Sequence, residues 1–241
     1  MTFSVTVSDT TAPTIDAHAN LTAAATSPSG AVVTYAAPLS HDAVDGDVPA
    51  ACAPASGATF PIGTTTVTCT ATDAHGNAAT AVTFTVTVSD TTAPVVTYLG
   101  NAGTYGVTST VSIHCAASDG GSGVVSTTCA DIVGPAYTYQ AGLNTFSATA
   151  TDASGNVGSG STSFRVIVTF ADLQALVSQF SNNAGVANGL NAKLDAASRA
   201  ANANARAGQL GAFQNQVNAQ TGKALTPAQA AILLRLVQAL N

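Results

Sequence analysis

The run TFSVTVSDTTAP at residues 2–13 returns almost unchanged as TFTVTVSDTTAP at residues 83–94. Self-similarity at a fixed period signals a tandem array built from one repeated unit. In each copy Phe and Val alternate with Thr and Ser, the period of a strand with one buried face, and the run closes on Ser-Asp-Thr-Thr-Ala-Pro. Proline cannot donate to a ladder, so it stops the pairing and stiffens the joint. Residues 1–8 are therefore expected to be the terminal strand of a preceding repeat. Phe3, Val5 and Val7 would form its buried face. Such a strand could stay unpaired, lie along its own chain, or be donated to a sheet edge of a neighbouring copy.

Between the two copies the chain reads as short strands, at 32–35, 65–71 and 81–88, separated by the turns SPSG, DAVDGD and DAHGN. Residues 95–169 repeat the pattern with strands at 110–115, 145–150 and 163–168 and turns at SDGGSG and DASGN. Regular short strands rich in Thr and Val point to antiparallel sandwiches of the immunoglobulin type. Cys52 and Cys69 fall in the first segment, Cys115 and Cys129 in the second. Neither spacing suits zinc, which takes two close pairs or a close pair with histidines. One even pair per strand-rich segment reads as two structural disulfides and an oxidising compartment.

Charge divides the chain. All twelve acidic residues are Asp; ten of them precede residue 165, where there is no Lys or Arg. The β part thus carries about −10, which repels phosphate backbones, and the six basic residues beyond it are too sparse for a nucleic-acid footprint. No run of eighteen apolar residues occurs, so no helical membrane insertion is expected. Met1 is followed by a strand-like segment and not by a basic and apolar leader, so a secretory leader would have to lie upstream.

After Phe170 the period changes. Leu173, Leu176, Val177 and Phe180 form one helical stripe; Val186, Leu190 and Leu194 a second; Leu210, Phe213 and Val217 a third; and Leu233, Leu236, Val237 and Leu240 a fourth. Thr226 followed by Pro227 marks the start of the last helix. The stripes are expected to face one another and not the sandwiches. The fold class that follows is multi-domain: two antiparallel immunoglobulin-like β-sandwiches, residues 9–94 and 95–169, then a small all-α bundle of about four helices at 170–241.

These residues also resemble known families. GAVVTY at 30–35, DAVDGD at 42–47, FPIGTTTVTCTATDAHGN at 60–77 and FTVTVSDTTAP at 84–94 resemble a hyalin repeat (HYR) module, an extracellular immunoglobulin-like domain. Many members carry a second cysteine pair, whose positions correspond here to Asp16 and Ala81. VSIHCAASDGGSGVVSTTC at 111–129 and FSATATDASGN at 146–156 resemble a bacterial immunoglobulin-like repeat. GVANGLNAKLDAA at 185–197 and QLGAFQNQVNAQTGKALTPAQAAILL at 209–234 resemble the FIMAH module, a helical domain at the C-terminal end of secreted bacterial proteins. The resemblances imply adhesion or architecture, not turnover.

Asp42, Asp45 and Asp47, with Gly46 at the turn, are the candidate calcium ligands. The competing account is a turn in which Asp side chains accept from their own backbone amides, and it is preferred, since no Glu exists to act as a bidentate ligand. Asp73 with Asn77 and Asp152 with Asn156 frame two D-x-x-G-N turns in which Gly76 and Gly155 take positive φ, with a metal site as the lesser alternative, while Asp9 and Asp90 stand alone at the joints, where any calcium would be held weakly. No cofactor is expected, and calcium, if bound, is expected to be weak and to move the melting temperature by less than a few degrees. His18, His41, His75 and His114 share no ligand spacing. Tyr137 and Tyr139, two apart on one strand face, are the candidate ligand contacts, set against a core-filling role.

The expected function is a non-catalytic architectural or adhesive segment of a secreted or surface-attached bacterial protein. Its partners would be other modules or copies of the same protein, or cell-wall or matrix polysaccharide or protein. Two alternatives are the accessory, substrate- or wall-targeting region of a secreted hydrolase whose catalytic domain lies upstream, and a strand-donating subunit of an extracellular filament.

Overall fold

The computed structural model describes residues 1–240. Sixteen strands come first in the described residues, then four helices. The strands are β1 (Thr14–Ile15), β2 (Leu21–Ala24), β3 (Ala31–Val32), β4 (Ser40–Asp42), β5 (Gly46–Asp47), β6 (Ala51–Ala53), β7 (Thr59–Phe60), β8 (Gly63–Thr70), β9 (Val82–Ser89), β10 (Val95–Leu99), β11 (Thr104–Gly106), β12 (Thr110–Ser118), β13 (Val124–Thr127), β14 (Ile132–Pro135), β15 (Gly142–Asp152) and β16 (Val157–Ile167). The helices are α1 (Phe170–Phe180), α2 (Ala184–Ser198), α3 (Ala203–Gln220) and α4 (Pro227–Val237). The long runs read from the sequence are β8, β9, β12, β15 and β16. The two- and three-residue strands carry too little periodicity to be seen in advance.

The chain forms two compact units. The first comprises Met1–Val95, Ala117–Thr127 and Ala150–Gly158; the second comprises Val96–Ala116, Thr128–Thr149 and Ser159–Asn241.

In the first unit β2, β9, β8 and β6 form a sheet in that order. β8 and β9 pair antiparallel from Gly63–Val88 to Cys69–Val82, and β2 runs parallel to β9 from Leu21–Val86 to Ala24–Ser89. This register puts Phe84, Val86 and Val88 on the inner face with Val67, where they meet Phe60, Ala31 and Val33. Period-two burial is the cause, because a slip by one residue would turn all three outward. β3 pairs with β7, and the approach is close: a Cβ on Gly30 (φ +108°) would lie 1.8 Å from the Phe60 carbonyl oxygen. Only glycine fits there. The Cys52–Cys69 disulfide joins directly paired residues of β6 and β8, fastening the edge strand to its neighbour.

In the second unit β12 lies between β10 and β14, and β11 runs parallel to β16 from Thr104–Arg165 to Gly106–Ile167. The Cys115–Cys129 disulfide closes its fourteen-residue separation inside this unit. Val111, Ile113, Phe164 and Val166 belong to the same buried cluster as Leu173, Leu176, Phe180, Leu190, Leu194, Phe213 and Leu236. The helical stripes therefore face one another but also meet strand-borne side chains, contrary to the expectation that they would not face the sandwich. Tyr137 packs edge-on against Phe180 at 5.2 Å, and Arg235 donates to the carbonyls of Tyr137 and Thr138. Thr226 caps α4 in a reciprocal capping box with Gln229, and Thr169, Asn183 and Asn202 cap the other three helices. Among the described residues no helix is long and apolar enough to cross a membrane.

Candidate functional site

Two groups of carboxylates gather within the first unit. In one, Asp9, Asp42, Asp45 and Asp73 each bring an oxygen within 4.8 Å of the others. Asp9 comes from the Ser-Asp-Thr-Thr-Ala-Pro joint, Asp42 from the end of β4, Asp45 from the turn before β5, and Asp73 from the turn after β8. Local hydrogen bonding fixes each. Asp9 Oδ1 accepts from the Thr11 amide, and Asp42 Oδ1 accepts from the Val44 and Asp45 amides at 2.7 and 2.9 Å. Asp73 Oδ1 accepts from the His75 and Asn77 amides, and its Oδ2 from Asn77 Nδ2. Asp45 Oδ2 accepts from the Ala74 amide and faces His75 Nδ1 at 3.1 Å.

Those turns use only part of each carboxylate. Asp42 is 2% exposed and its Oδ2 is buried without a partner; Asp9 Oδ2, on a side chain 4% exposed, also lacks a hydrogen bond and has only His75 Nδ1 at 3.6 Å. A buried carboxylate oxygen left unpaired is costly, and here it lies among like charges with no Lys or Arg anywhere before residue 165. Donation from the Asp45 and Val44 amides holds Asp42 below the usual carboxylate range. At Asp73 burial pushes the carboxyl up, but Asn77 and the His75 and Gly76 amides outweigh it and leave it low. His75 is raised by the Asp45 carboxylate beside it.

The second group, Asp90, Asp119 and Asp152, is built on the same frame within the same 4.8 Å limit. Asp90 Oδ1 accepts from the Thr92 amide as Asp9 does from Thr11. Asp152 Oδ1 accepts from the Ser154 and Asn156 amides, and Asn156 Nδ2 bridges Asp152 to the Asp90 carbonyl as Asn77 bridges Asp73 to that of Asp9. Asp119 Oδ2 accepts from the Gly121 and Gly123 amides, while its Oδ1 is buried and unpartnered. Gly121 makes room for this: a Cβ there would fall 2.3 Å from the Asp90 carboxyl carbon. Ser122 and the Thr92 amide hold Asp90 low.

Residues 8–88 match the HYR domain family.

The match spans every carboxylate of the first group and the Cys52–Cys69 bridge. Solved structures similar over about two thirds of the chain include PcdhgB3 EC1-4, at 13% identity and TM-score 0.31, covering 66% of this chain and 50% of that one. The fibronectin(III)-like modules of Clostridium thermocellum CbhA are 14% identical with TM-score 0.27, covering 65% of this chain and 94% of that one. Human Protocadherin-24 EC1-2 is 16% identical with TM-score 0.29, covering 66% and 97%. The chain spans half the length of the first of these. No curated protein matches it.

Of the expected calcium ligands, the HYR segment brings Asp42 and Asp45 together and leaves Asp47 out. Asp47 is exposed on β5 and pairs with His41 at 3.0 Å. The turn account of DAVDGD holds for one oxygen of Asp42 and leaves the other unexplained. Asp9, Asp73, Asp90, Asp119 and Asp152 complete the groups. The available signal was the repeat itself, since Asp9/Asp90, Asp73/Asp152 and Asn77/Asn156 recur at nearly one interval. Tyr137 lies within a short 3-10 turn, Ala136–Thr138, and Tyr139 follows it, so the two do not share a strand face. Tyr139 packs edge-on to Phe164 and Phe146 and lines an open pocket of about 360 Å³ with Tyr98 and Asp131. His18 stacks on Phe84 at 4.1 Å, and His114 pairs with Asp131. Phe3, Val5 and Val7 are exposed and outside any strand.

Proposed function

We propose that this chain is a non-catalytic architectural or adhesive segment of an extracellular bacterial protein. Two immunoglobulin-like β modules act as a disulfide-stapled spacer, and the helical module acts as a terminal docking or capping piece. The observation that carries the reading is the recurrence of one joint: the same Thr-amide-to-Asp and Asn-to-Asp hydrogen bonds appear twice, as a repeated spacer requires. The HYR match over residues 8–88 and the two disulfides support an extracellular setting. The FIMAH resemblance supports a secreted bacterial parent. The test is the thiol count and location of the protein in its native cells. Fully oxidised protein, removed from intact cells by added protease or recovered from the medium, is the expected result. Reduced protein retained inside the cell would overturn the reading.

A second reading, donation of residues 2–8 to a neighbouring copy, is favoured by one observation: an alternating apolar segment that stands unpaired. Head-to-tail addition gives open filaments unless the rotation closes. Sedimentation with and without residues 1–8 separates the two. Polymers that vanish on truncation would establish donation, and monomers in both samples would exclude it.

A further inference from the structure

We infer that the Asp9, Asp42, Asp45 and Asp73 group binds a calcium ion, and that the Asp90, Asp119 and Asp152 group binds a second one more weakly. The turns account for Asp42 Oδ1 and Asp9 Oδ1, but not for the opposite oxygens: Asp42 Oδ2 is buried and unpartnered among further carboxylates, and Asp9 Oδ2 is buried with no hydrogen bond and only His75 Nδ1 at 3.6 Å. A divalent cation satisfies those oxygens and cancels the repulsion together.

Donor chemistry selects the metal. Calcium takes six to eight oxygens at about 2.3–2.6 Å, so ligand atoms across the ion lie no more than roughly 5 Å apart. Groups confined within 4.8 Å fit that span. Magnesium dehydrates reluctantly and is seldom held by an all-protein carboxylate cage. Zinc favours nitrogen and sulfur, and His75 Nδ1 could offer a nitrogen beside Asp9 and Asp45. The equivalent position in the second group is Ser154, so only oxygen chemistry is common to both. Four carboxylates against three sets the order of affinity, because calcium affinity follows ligand charge and rigidity.

The placement adds a consequence. Asp9 and Asp90 each belong to a Ser-Asp-Thr-Thr-Ala-Pro joint, so the ion ties the joint to turns that come much later in the same repeat. Each repeat would then hold its entering joint by a cation, and joint stiffness would follow the calcium level. The binding needs only these carboxylates, so it stands or falls independently of where the protein is located.

Calorimetric titration of calcium into chelator-stripped full-length protein tests this. The expected result is two equivalents, the first with Kd on the order of 10⁻⁴ M and the second about tenfold weaker, within the range for extracellular modules. Asp42→Asn keeps an oxygen for the Val44 and Asp45 amides, and it should leave only the weak equivalent. Asp119→Asn should leave only the tight one, which keeps the question decidable if either variant folds poorly. No heat up to about 10 mM calcium, two equivalents surviving in Asp42→Asn, equal affinity for magnesium, or a single zinc equivalent without calcium binding would each overturn the assignment.

Discussion

Residues 2–13 and 83–94 share nearly one sequence and meet opposite fates in their first half. Phe84 is 2% exposed in β9, whereas Phe3 is 89% exposed and lies in no strand. β9 has β2 on one side and β8 on the other; residues 2–8 have neither. In the second half the copies agree: Asp9 and Asp90 make the same bond to the amide two residues on, and each meets an Asn carried on a D-x-x-G-N turn. A strand is thus a proposal that its neighbours must accept. An Asx joint is settled by its own few residues.

The largest expected difference lies in the strand halves. Phe84→Ala should cost about 3–5 kcal/mol in denaturant unfolding, the usual loss for a buried Phe. Phe3→Ala should stay within about 0.5 kcal/mol, as an exposed substitution does. Equal losses would mean that residues 2–8 are buried in solution, and the comparison would fail.

The next effect concerns the sheet that accepts β9. Removing Cys52–Cys69 by a double Cys→Ser change should cost about 3 kcal/mol, the chain-entropy value for a loop of this size. The helix signal of the second unit should melt unchanged. A parallel drop in helix melting would show that the two compact units unfold as one.

The joints should respond alike and more modestly. Asn77→Ala and Asn156→Ala each remove a bridge between the joint carbonyl and an Asp carboxylate, and each should cost about 1–2 kcal/mol. A loss at one and none at the other would break the equivalence. Smallest of all, Thr226→Ala should cost about 1 kcal/mol through its capping box and leave both joints untouched.

How much of this could be read from residues alone depended on the range of the forces involved. The α4 start at Thr226–Pro227, the positive φ of Gly76 and Gly155, and the long alternating strands are written in local sequence, and the structure follows them. The carboxylate groups are not local. Asp9 and Asp73 stand at opposite ends of the repeat in sequence and meet only after β8 and its following turn are in place. Taken singly, each Asp reads as a turn former, and each is one. Its second oxygen has no sequence signature. Asp47 misled because it sits beside Gly46 in the right order, yet period-two alternation along β5 places it on the open face against His41. Tyr137 and Tyr139 misled in a similar way, since Gly134 and Pro135 lead into a 3-10 turn where alternation suggested a strand.

The most direct test of the central claim, that each joint is held by a cation, is the melting temperature of wild type and Asp42→Asn in chelator and in millimolar calcium. At about ten times Kd, roughly 1 mM, calcium should raise the wild-type transition of the first unit by roughly 5–10 °C. In chelator Asp42→Asn should melt somewhat below wild type, because the Val44 and Asp45 amides hold the Asp42 carboxyl low and its ionised form therefore adds stability at neutral pH. Its calcium response should shrink to that of the weaker group. If calcium instead moves neither protein, the carboxylates serve the turns alone and the joints hold no metal.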